Sequence, residues 1–485
     1  MRRLLRFLFL LLLALVSVLL FNTLRLPNRQ LAAVPAAPAL ALPPDTALAH
    51  LTDALRIVTV SRTRYADTDT VPFDQLSVYL QRTFPLVHRQ LKLQLVNHYG
   101  RLYEWPGTDP SLKPLLLLAH QDVVPVLPGT EAQWAAPPFA GQLKGGFLYG
   151  RGALDDKLNV IGQLEAVEYL LRAGYQPRRT LLLAFGHDEE TSGQRGAAAL
   201  AAVVQQRYPA LEMVLDEGGL VKTDGVAGLL QPVALVGVSE KGYLSLELSA
   251  TGAGGHSSMP PALTSVGRVA AAVARLEAHP FPARLSAVGG TLAYLAPAVP
   301  FGKRLVFANQ WLFGPIIKKT LAATPSGNAT LRTTTAPTIF QGGDKDNVLP
   351  IEATATVNFR LLPGDSVAAV LRQVRELVAD TAVRIRLLGP GREASPVSGT
   401  DNAAFGALHR TIKSVFPQVL VAPYTVVGAT DARAYARLCP QATYRFMPVL
   451  MDQSAIGSMH GTNERLRAGA FADVVRFYVA LIKNV

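Results

Sequence analysis

The sequence has a single cysteine, Cys439. One thiol excludes an internal disulfide framework and any cysteine-rich metal site, so a metal could be held here only by His and carboxylates. Charge is sparse as well: 17% of the 485 residues are Asp, Glu, Lys or Arg, against 49% that are hydrophobic. The formal charge is +12, yet the basic residues are dispersed, with no block of five and no aromatic interleaving. A nucleic-acid groove needs such clustering, and nucleic acid is therefore not an expected partner. No internal repeat is found either. Length and composition fit a globular protein of two or three domains.

The N-terminus reads "MRRLLRFLFLLLLALVSVLLFNTLRLPNR", with Arg2, Arg3 and Arg6 ahead of an apolar run from Phe7 to Phe21. That run is long for a signal-peptide core and short for a comfortable span, which takes about 20 residues. No small-x-small cleavage pattern follows it directly, and "LAAVPAAPALALPP" supplies such sites only later. The expectation is an uncleaved signal anchor over residues 1–24, in preference to a cleaved signal peptide. Either one exports the rest of the chain, to stand membrane-anchored outside the cytoplasm (periplasmic, extracellular or lumenal) or, after cleavage, to be secreted. Residues 25–45, rich in Ala and Pro, read as an extended linker.

Beyond the linker, apolar runs "PLLLLAH", "RTLLLAFG" and "EMVLDEGG" alternate with helical patterns such as "DDKLNVIGQLEAVEYLLRAG" and "RGAAALAAVVQQRY". This is the βαβ rhythm of a mostly parallel sheet covered by helices, and the fold class is α/β. From about residue 240 the texture changes to alternating strands, "KGYLSLELSA", "TTTAPTIFQGG" and "ATATVNFRLLPG", with helices "SVGRVAAAVARLEA" and "SVAAVLRQVRELVAD". An inserted α+β domain over 240–395 is expected, between a first part of the main domain at 46–239 and a second at 396–485. The chain closes with a helix expected over "ERLRAGAFADVVRFYVALIKN".

The acids fall at informative places. "FGHDEETSG" sets Asp188, Glu189 and Glu190 side by side after a strand, His120 and Asp122 end the strand "LLLLA", and Asp216 ends "EMVL". In an open α/β sheet, ligands bind in the crevice beyond the carboxyl ends of the strands. Asp155 and Asp156 stand at the head of a helix, and His460 lies in "SMHGTNER" before the last one. Each has a plain alternative, since a helix N-terminus favours Asp for its dipole alone. Their joint placement is what points to a site.

Together, "AHQDVVPV", "YGRGALDDK", "FGHDEETSG", "LDEGG", "GGHSS", "GGDKDNVLP", "VNFRLLPGD", "GATDARAY" and "HGTNER" resemble the co-catalytic zinc peptidase family of aminoacylase, acetylornithine deacetylase and carboxypeptidase S. The nearest branch is that of carboxypeptidase S and the fatty-acyl amino-acid hydrolases. The resemblance runs in order from about residue 46 to the end. It implies a catalytic domain with an inserted lid and dimerisation domain, and two Zn2+, replaceable by Co2+ or Mn2+. It also implies that His120 and Asp216 hold one zinc and Glu190 and His460 the other, with Asp155 bridging. Asp122 would orient His120, and Glu189 would be the general base. Asp188 is left as a solvated or hydrogen-bonded acid. Thr191 and Ser192 stand where relatives often have an apolar residue and a glycine. His256 resembles a lid histidine that reaches a neighbouring subunit's site in a homodimer, and Asn347 and Arg360 resemble the groups that hold a substrate's α-carboxylate. Gly428, Ala429 and Thr430 would complete that pocket.

The activity implied is hydrolysis of the amide bond next to a C-terminal amino acid, in N-acyl amino acids or short peptides, with synthesis as the reverse. An aminopeptidase or dipeptidase on the same scaffold is one alternative; an aminopeptidase would need an acid for the free amine where Arg360 stands. A catalytically inactive binding protein is another, and it would require loss of the ligand set. Residues 283–330 are more than two strands and a turn require, and carry Leu292, Tyr294, Leu295, Phe301, Leu305, Phe307, Trp311, Leu312, Phe313, Ile316 and Ile317. They line a channel for a long acyl chain or thicken the lid core or dimer contact.

Overall fold

The computed structural model describes residues 1–485 apart from 42, 43, 227 and 230. Positions 42 and 43 of the expected linker therefore lie outside the described residues.

The three apolar runs form the centre of a ten-stranded sheet. The strands Leu115–His120, Leu181–Gly186 and Met213–Asp216 are buried along their whole length and pair in parallel. Strands buried on both faces have no reason to alternate, which is why these read as unbroken Leu and Val. Gly100–Trp105 and Lys92–Val96 continue the sheet antiparallel on one side; on the other it continues with Thr443–Arg445, Val233–Glu240, Leu220–Lys222 and Leu450–Met451 in mixed directions, the first and last joining in parallel. Leu420–Val426 runs parallel to Val233–Glu240.

The Lys157–Arg172 helix is buried on nearly every face, between the sheet and the C-terminal Ala470–Asn484 helix. Gly162 is where the two helices touch: a Cβ there would meet Val474 Cγ1 at 2.7 Å. The C-terminal helix starts later than expected. Arg465–Arg467 is a strand instead, paired with Phe147–Tyr149, because Leu466 is buried while Arg465 and Arg467 face outward in period two.

The second sheet is antiparallel, in the order Thr334–Gln341, Glu352–Leu361, Gly242–Thr251, Val383–Leu387. Leu244, Leu246 and Leu248 alternate inward against Val357, Phe359 and the helices Ser265–Ala278 and Val367–Val378. Residues 285–331 fold into short helices, and part of this segment leaves the second sheet. Tyr294, Leu295 and Val299 join the core of the main domain, beside Leu420–Val426.

The N-terminal run forms a helix, Arg2–Leu24, long and apolar enough to cross a membrane, with none of its apolar window buried. The expected linker is not free chain: Gln30 hydrogen-bonds the main chain of Tyr294 and Val421, and the Ala37 N–H donates to the Ser414 carbonyl.

Candidate metal centre

Strand ends and loops converge at the carboxyl rim of the main sheet. His120 closes its strand opposite Gly186 of the neighbour, so residues 187–190 leave the sheet beside it. Asp155 and Asp156 precede the Lys157–Arg172 helix, and His460 enters from a loop in the left-handed region, φ 60°.

Asp155 is the centre of the cluster. Its Oδ1 lies 2.9 Å from His120 Nε2 and its Oδ2 lies 2.9 Å from His460 Nε2, so one carboxylate faces two imidazoles with separate oxygens. Glu190 Oε2 is 3.1 Å from His460 Nε2, and Glu217 Oε1 is 3.6 Å from His120 Nε2. Two half-sites share Asp155: His120 with Glu217, and His460 with Glu190. Asp156 also comes near His120 and Glu217, but it accepts the His120 main-chain N–H at 3.2 Å and the Asn159 amide, and so holds the turn.

His120 is preset for a cation. Its Nδ1 sits 2.9 Å from the Asp122 carbonyl oxygen. A carbonyl only accepts, so in the neutral ring Nδ1 carries the proton and Nε2 turns a lone pair to the cluster.

The charges of the protein groups do not balance by themselves. Burial and the charge of Asp155 push Glu217 up to about 8, and burial and Asp155 raise Glu190 as well. Burial followed by the charge of Asp431 raises Glu189 well above the carboxylate range. Burial opposes a charged His120, yet Asp122, Asp155 and Glu217 carry it well above its ordinary value. Hydrogen bonds to Asp155 and Glu190 take His460 up to about 10. Carboxylates that rise together mark a place where anions outnumber nearby cations, and divalent ions offset them. Glu190 Oε1 is buried with no hydrogen-bond partner among the described residues, as a spare metal-ligand oxygen is. Two imidazole nitrogens and three carboxylates, one of them shared, fit a pair of divalent ions.

The residues expected here are not all placed as the sequence suggested. Asp216 turns away from the cluster: it accepts the N–H of Ala432 at 2.6 Å and that of Glu217 at 3.0 Å. The neighbouring Glu217 faces His120 instead, since adjacent residues at a strand end point to opposite sides. "LDEGG" contained both acids, and only that alternation separates them. Asp122 touches His120 mainly through its carbonyl, with its carboxylate at 3.4 Å. That carboxylate accepts from Ser61 at 2.6 Å and from the N–H groups of Glu189 and Glu190 at 3.2 and 3.1 Å, which fixes the turn carrying both glutamates. The Glu189 side chain makes no hydrogen bond or salt bridge among the described residues. Asp188 is a hydrogen-bonded acid, accepting the N–H groups of Arg195 and Gly196 at 2.9 and 2.8 Å just before the Ala197–Arg207 helix.

Arg360 lies opposite Tyr243 across two strands, with its guanidinium stacked 4.8 Å from that ring. Arg392 reaches the same ring at 5.5 Å. Burial, then nearby cations, lower both guanidinium groups, Arg433 acting on each, and Arg392 also lies close enough to feel Glu189. Sequence reasoning missed this surplus of positive charge. Thr430 is not free for a ligand: its N–H and hydroxyl both donate to Glu240 at 3.0 and 2.5 Å, and Glu240 is paired with the buried Arg445. Gly428 and Ala429 remain partly exposed. His256 and Asn347 stand together on an exposed two-stranded ribbon, the Ser257 N–H donating to the Asn347 carbonyl, and neither contacts the Asp155 cluster.

Residues 116–484 match the family model described as Peptidase family M20/M25/M40. The N-fatty-acyl-amino acid synthase/hydrolase PM20D1 of Xenopus tropicalis is 42% identical over 439 residues, covering 90% of this chain and 85% of that protein. Carboxypeptidase S of Saccharomyces cerevisiae is 31% identical over an alignment of 499 residues, covering 91% and 84%. The M20 family metallo-carboxypeptidase Sso-CP2 of Sulfolobus solfataricus shares the fold, with a TM-score of 0.64 at 17% identity over 90% of this chain and 98% of that one.

Proposed function

The chain belongs to the M20/M25/M40 peptidase family and is a carboxypeptidase S-like metallohydrolase, and we propose that it uses two zinc ions to cleave the amide bond next to a C-terminal amino acid, with long-chain N-acyl amino acids as preferred substrates. The observation that carries this reading is Asp155, whose two oxygens face His120 and His460 with Glu217 and Glu190 beside them. Held there, the metal pair would polarise the scissile carbonyl and lower the pKa of the attacking water. Glu189, half-buried and without a side-chain partner among the described residues, would take a proton from that water as oxygen bonds to the carbonyl carbon, and pass it to the amide nitrogen as the C–N bond breaks. Arg360, with Arg392 and Arg433 nearby, holds the substrate's α-carboxylate, and a free amine would be repelled there. The catalytic domain in this reading comprises residues 46–239 and 396–485, with 240–395 as the lid. The N-terminal helix anchors the enzyme on the outer side of a membrane, Arg2, Arg3 and Arg6 remaining inside.

One substrate series tests this: N-acyl amino acids from acetyl to long chains, their C-terminal amides, and dipeptides, each with and without chelator. Turnover should require metal. Amides should lose about 2–5 kcal/mol in kcat/KM, because a half-buried guanidinium loses its partner. Four additional buried methylenes, at about 0.8 kcal/mol each, should raise kcat/KM by roughly two orders of magnitude. An apolar cavity of about 540 Å³ lined by Leu292, Val306, Phe307, Ile316, Ile317 and Leu321 would hold them. Equal turnover of acids and amides would remove the carboxylate pocket, and a flat chain-length profile the acyl preference.

His256 and Asn347, exposed and distant from Asp155 in sequence and contact, would act on the site of a second subunit in a lid-mediated homodimer. Mixing inactive His256→Ala with inactive Glu189→Gln protein should then restore part of the activity. A monomer fully active at high dilution would end that reading.

A further inference from the structure

The helices between Leu285 and Leu331 have an outer face unlike that of a water-facing helix. In Gln310–Ala322, Trp311, Leu312, Pro315 and Ile316 fall at i, i+1, i+4 and i+5, and so share one side. All four are exposed, Trp311 by 61% and Ile316 by 59%. Phe301, at the start of the preceding Phe301–Ala308 helix, is 50% exposed. The opposite side carries Gly314 and Ile317, and is the buried one. A helix facing water presents polar residues outward, and a contiguous apolar face marks a partner.

The surrounding charge is of one sign. Between Glu277 and Asp344 the chain has no acid, while Arg284, Lys303, Arg304, Lys318, Lys319 and Arg332 all fall in that interval. Lys303 and Lys319 are exposed beside the apolar face. The partner this suits is apolar within and negative at its surface.

The N-terminal helix fixes where that partner lies. Asn309, buried between the two helices, donates through Nδ2 to the Leu19 carbonyl at 3.1 Å, and its Oδ1 accepts from the Asn22 amide at 2.8 Å. The last turn of Arg2–Leu24 is thus pinned to the joint from which Trp311 projects. From Arg2 to Asn22 the helix rises by roughly 30 Å, the thickness of a bilayer's hydrocarbon. With Arg2, Arg3 and Arg6 at one interface, the Asn309 joint sits at the other.

We propose that Phe301, Trp311, Leu312, Pro315 and Ile316 form a docking surface that lies on an anionic lipid bilayer. The apolar side chains enter the boundary between headgroups and acyl chains, where tryptophan is favoured, and Lys303, Lys318 and Lys319 meet lipid phosphates. The apolar cavity is lined in part by Ile316 of this face and by Gly302 and Lys303, which follow Phe301 in the chain. The orientation rests on the anchoring reading above, and the test separates the two.

The chain has three tryptophans, and Trp105 and Trp134 are buried, at 3% and 7% exposure, so Trp311 is a built-in probe. Full-length protein is mixed with phosphatidylcholine vesicles, with or without phosphatidylglycerol, carrying brominated acyl chains. Trp311 emission should shift to shorter wavelength, be quenched by bromine and lose its accessibility to acrylamide, more so with phosphatidylglycerol. Trp311→Phe should abolish the response while the protein still floats with the vesicles. Lys303→Glu combined with Lys319→Glu should cancel the gain from the anionic lipid. A chain that floats while Trp311 remains open to acrylamide and unquenched by bromine overturns the docking surface and leaves the anchor standing. A chain that does not float overturns both. Shielding of Trp311 that grows with protein concentration in the absence of vesicles assigns the face to a second copy and likewise overturns the proposal.

Discussion

Purified Glu189→Gln protein is expected to keep both metal ions and the native fold while kcat falls by a factor on the order of 10² to 10⁴. The Glu189 carboxyl makes no hydrogen bond or salt bridge among the described residues, and burial with the Asp431 charge keeps its proton affinity well above that of an ordinary carboxylate. Such a group binds a proton more readily than an ordinary carboxylate and can hand it on, and its amide can do neither. Glu190→Gln should behave differently, because Glu190 Oε2 stands 3.1 Å from His460 Nε2, and one half-site loses an anionic ligand. Glu217→Gln should weaken the other half-site, whereas Asp216→Asn should leave the metal content unchanged. Metal analysis of the four proteins after gel filtration checks this. Loss of metal from Glu189→Gln with retention in Glu190→Gln would exchange the two roles.

The sequence was readable where the signal is local. Strands buried on both faces announce themselves as unbroken apolar runs, and their last residues mark the rim where His120, Glu189 and Glu190 gather. What the sequence hid depends on side-chain direction and on contacts across hundreds of residues. Asp216 and Glu217 are adjacent acids, and which one faces the cluster follows from strand pleat and from the Ala432 N–H that captures Asp216. Thr430 reads as a ligand-binding hydroxyl until Glu240, 190 residues away, is found to accept it. The apolar content of residues 283–330 was plain, but its division was not. Leu292, Tyr294, Leu295 and Ile317 are buried, while Phe301, Trp311, Leu312 and Ile316 face outward. An amphipathic pattern does not say which apolar side meets the core when both sides are apolar.

Glu464 joins these two levels, because it ties a distant loop to the main chain that carries Asp155. Its carboxylate is fully buried and pairs with the buried Arg151 at 2.6 Å. It also accepts the N–H groups of Gly152, Leu154 and Asp155 at 3.1, 2.8 and 3.1 Å, and Arg151 donates to the Gly461 carbonyl at 2.9 Å, next to His460. This clip sets the spacing between Asp155 and His460 before any metal arrives. Glu464→Gln leaves the Arg151 guanidinium buried without its counter-charge, and should cost about 3–5 kcal/mol of stability. Urea unfolding of both proteins in excess chelator measures that cost free of any contribution from bound metal. Replacing both partners, Arg151→Met with Glu464→Gln, should recover part of the stability, since no unpaired charge remains. Metal affinity should stay low in the double variant, because the N–H groups of Leu154 and Asp155 have still lost their anionic acceptor. If Glu464→Gln unfolds within about 1 kcal/mol of the wild type in chelator and then takes up its full metal content, the loop holds Asp155 and His460 in place by some other means, and the clip is incidental.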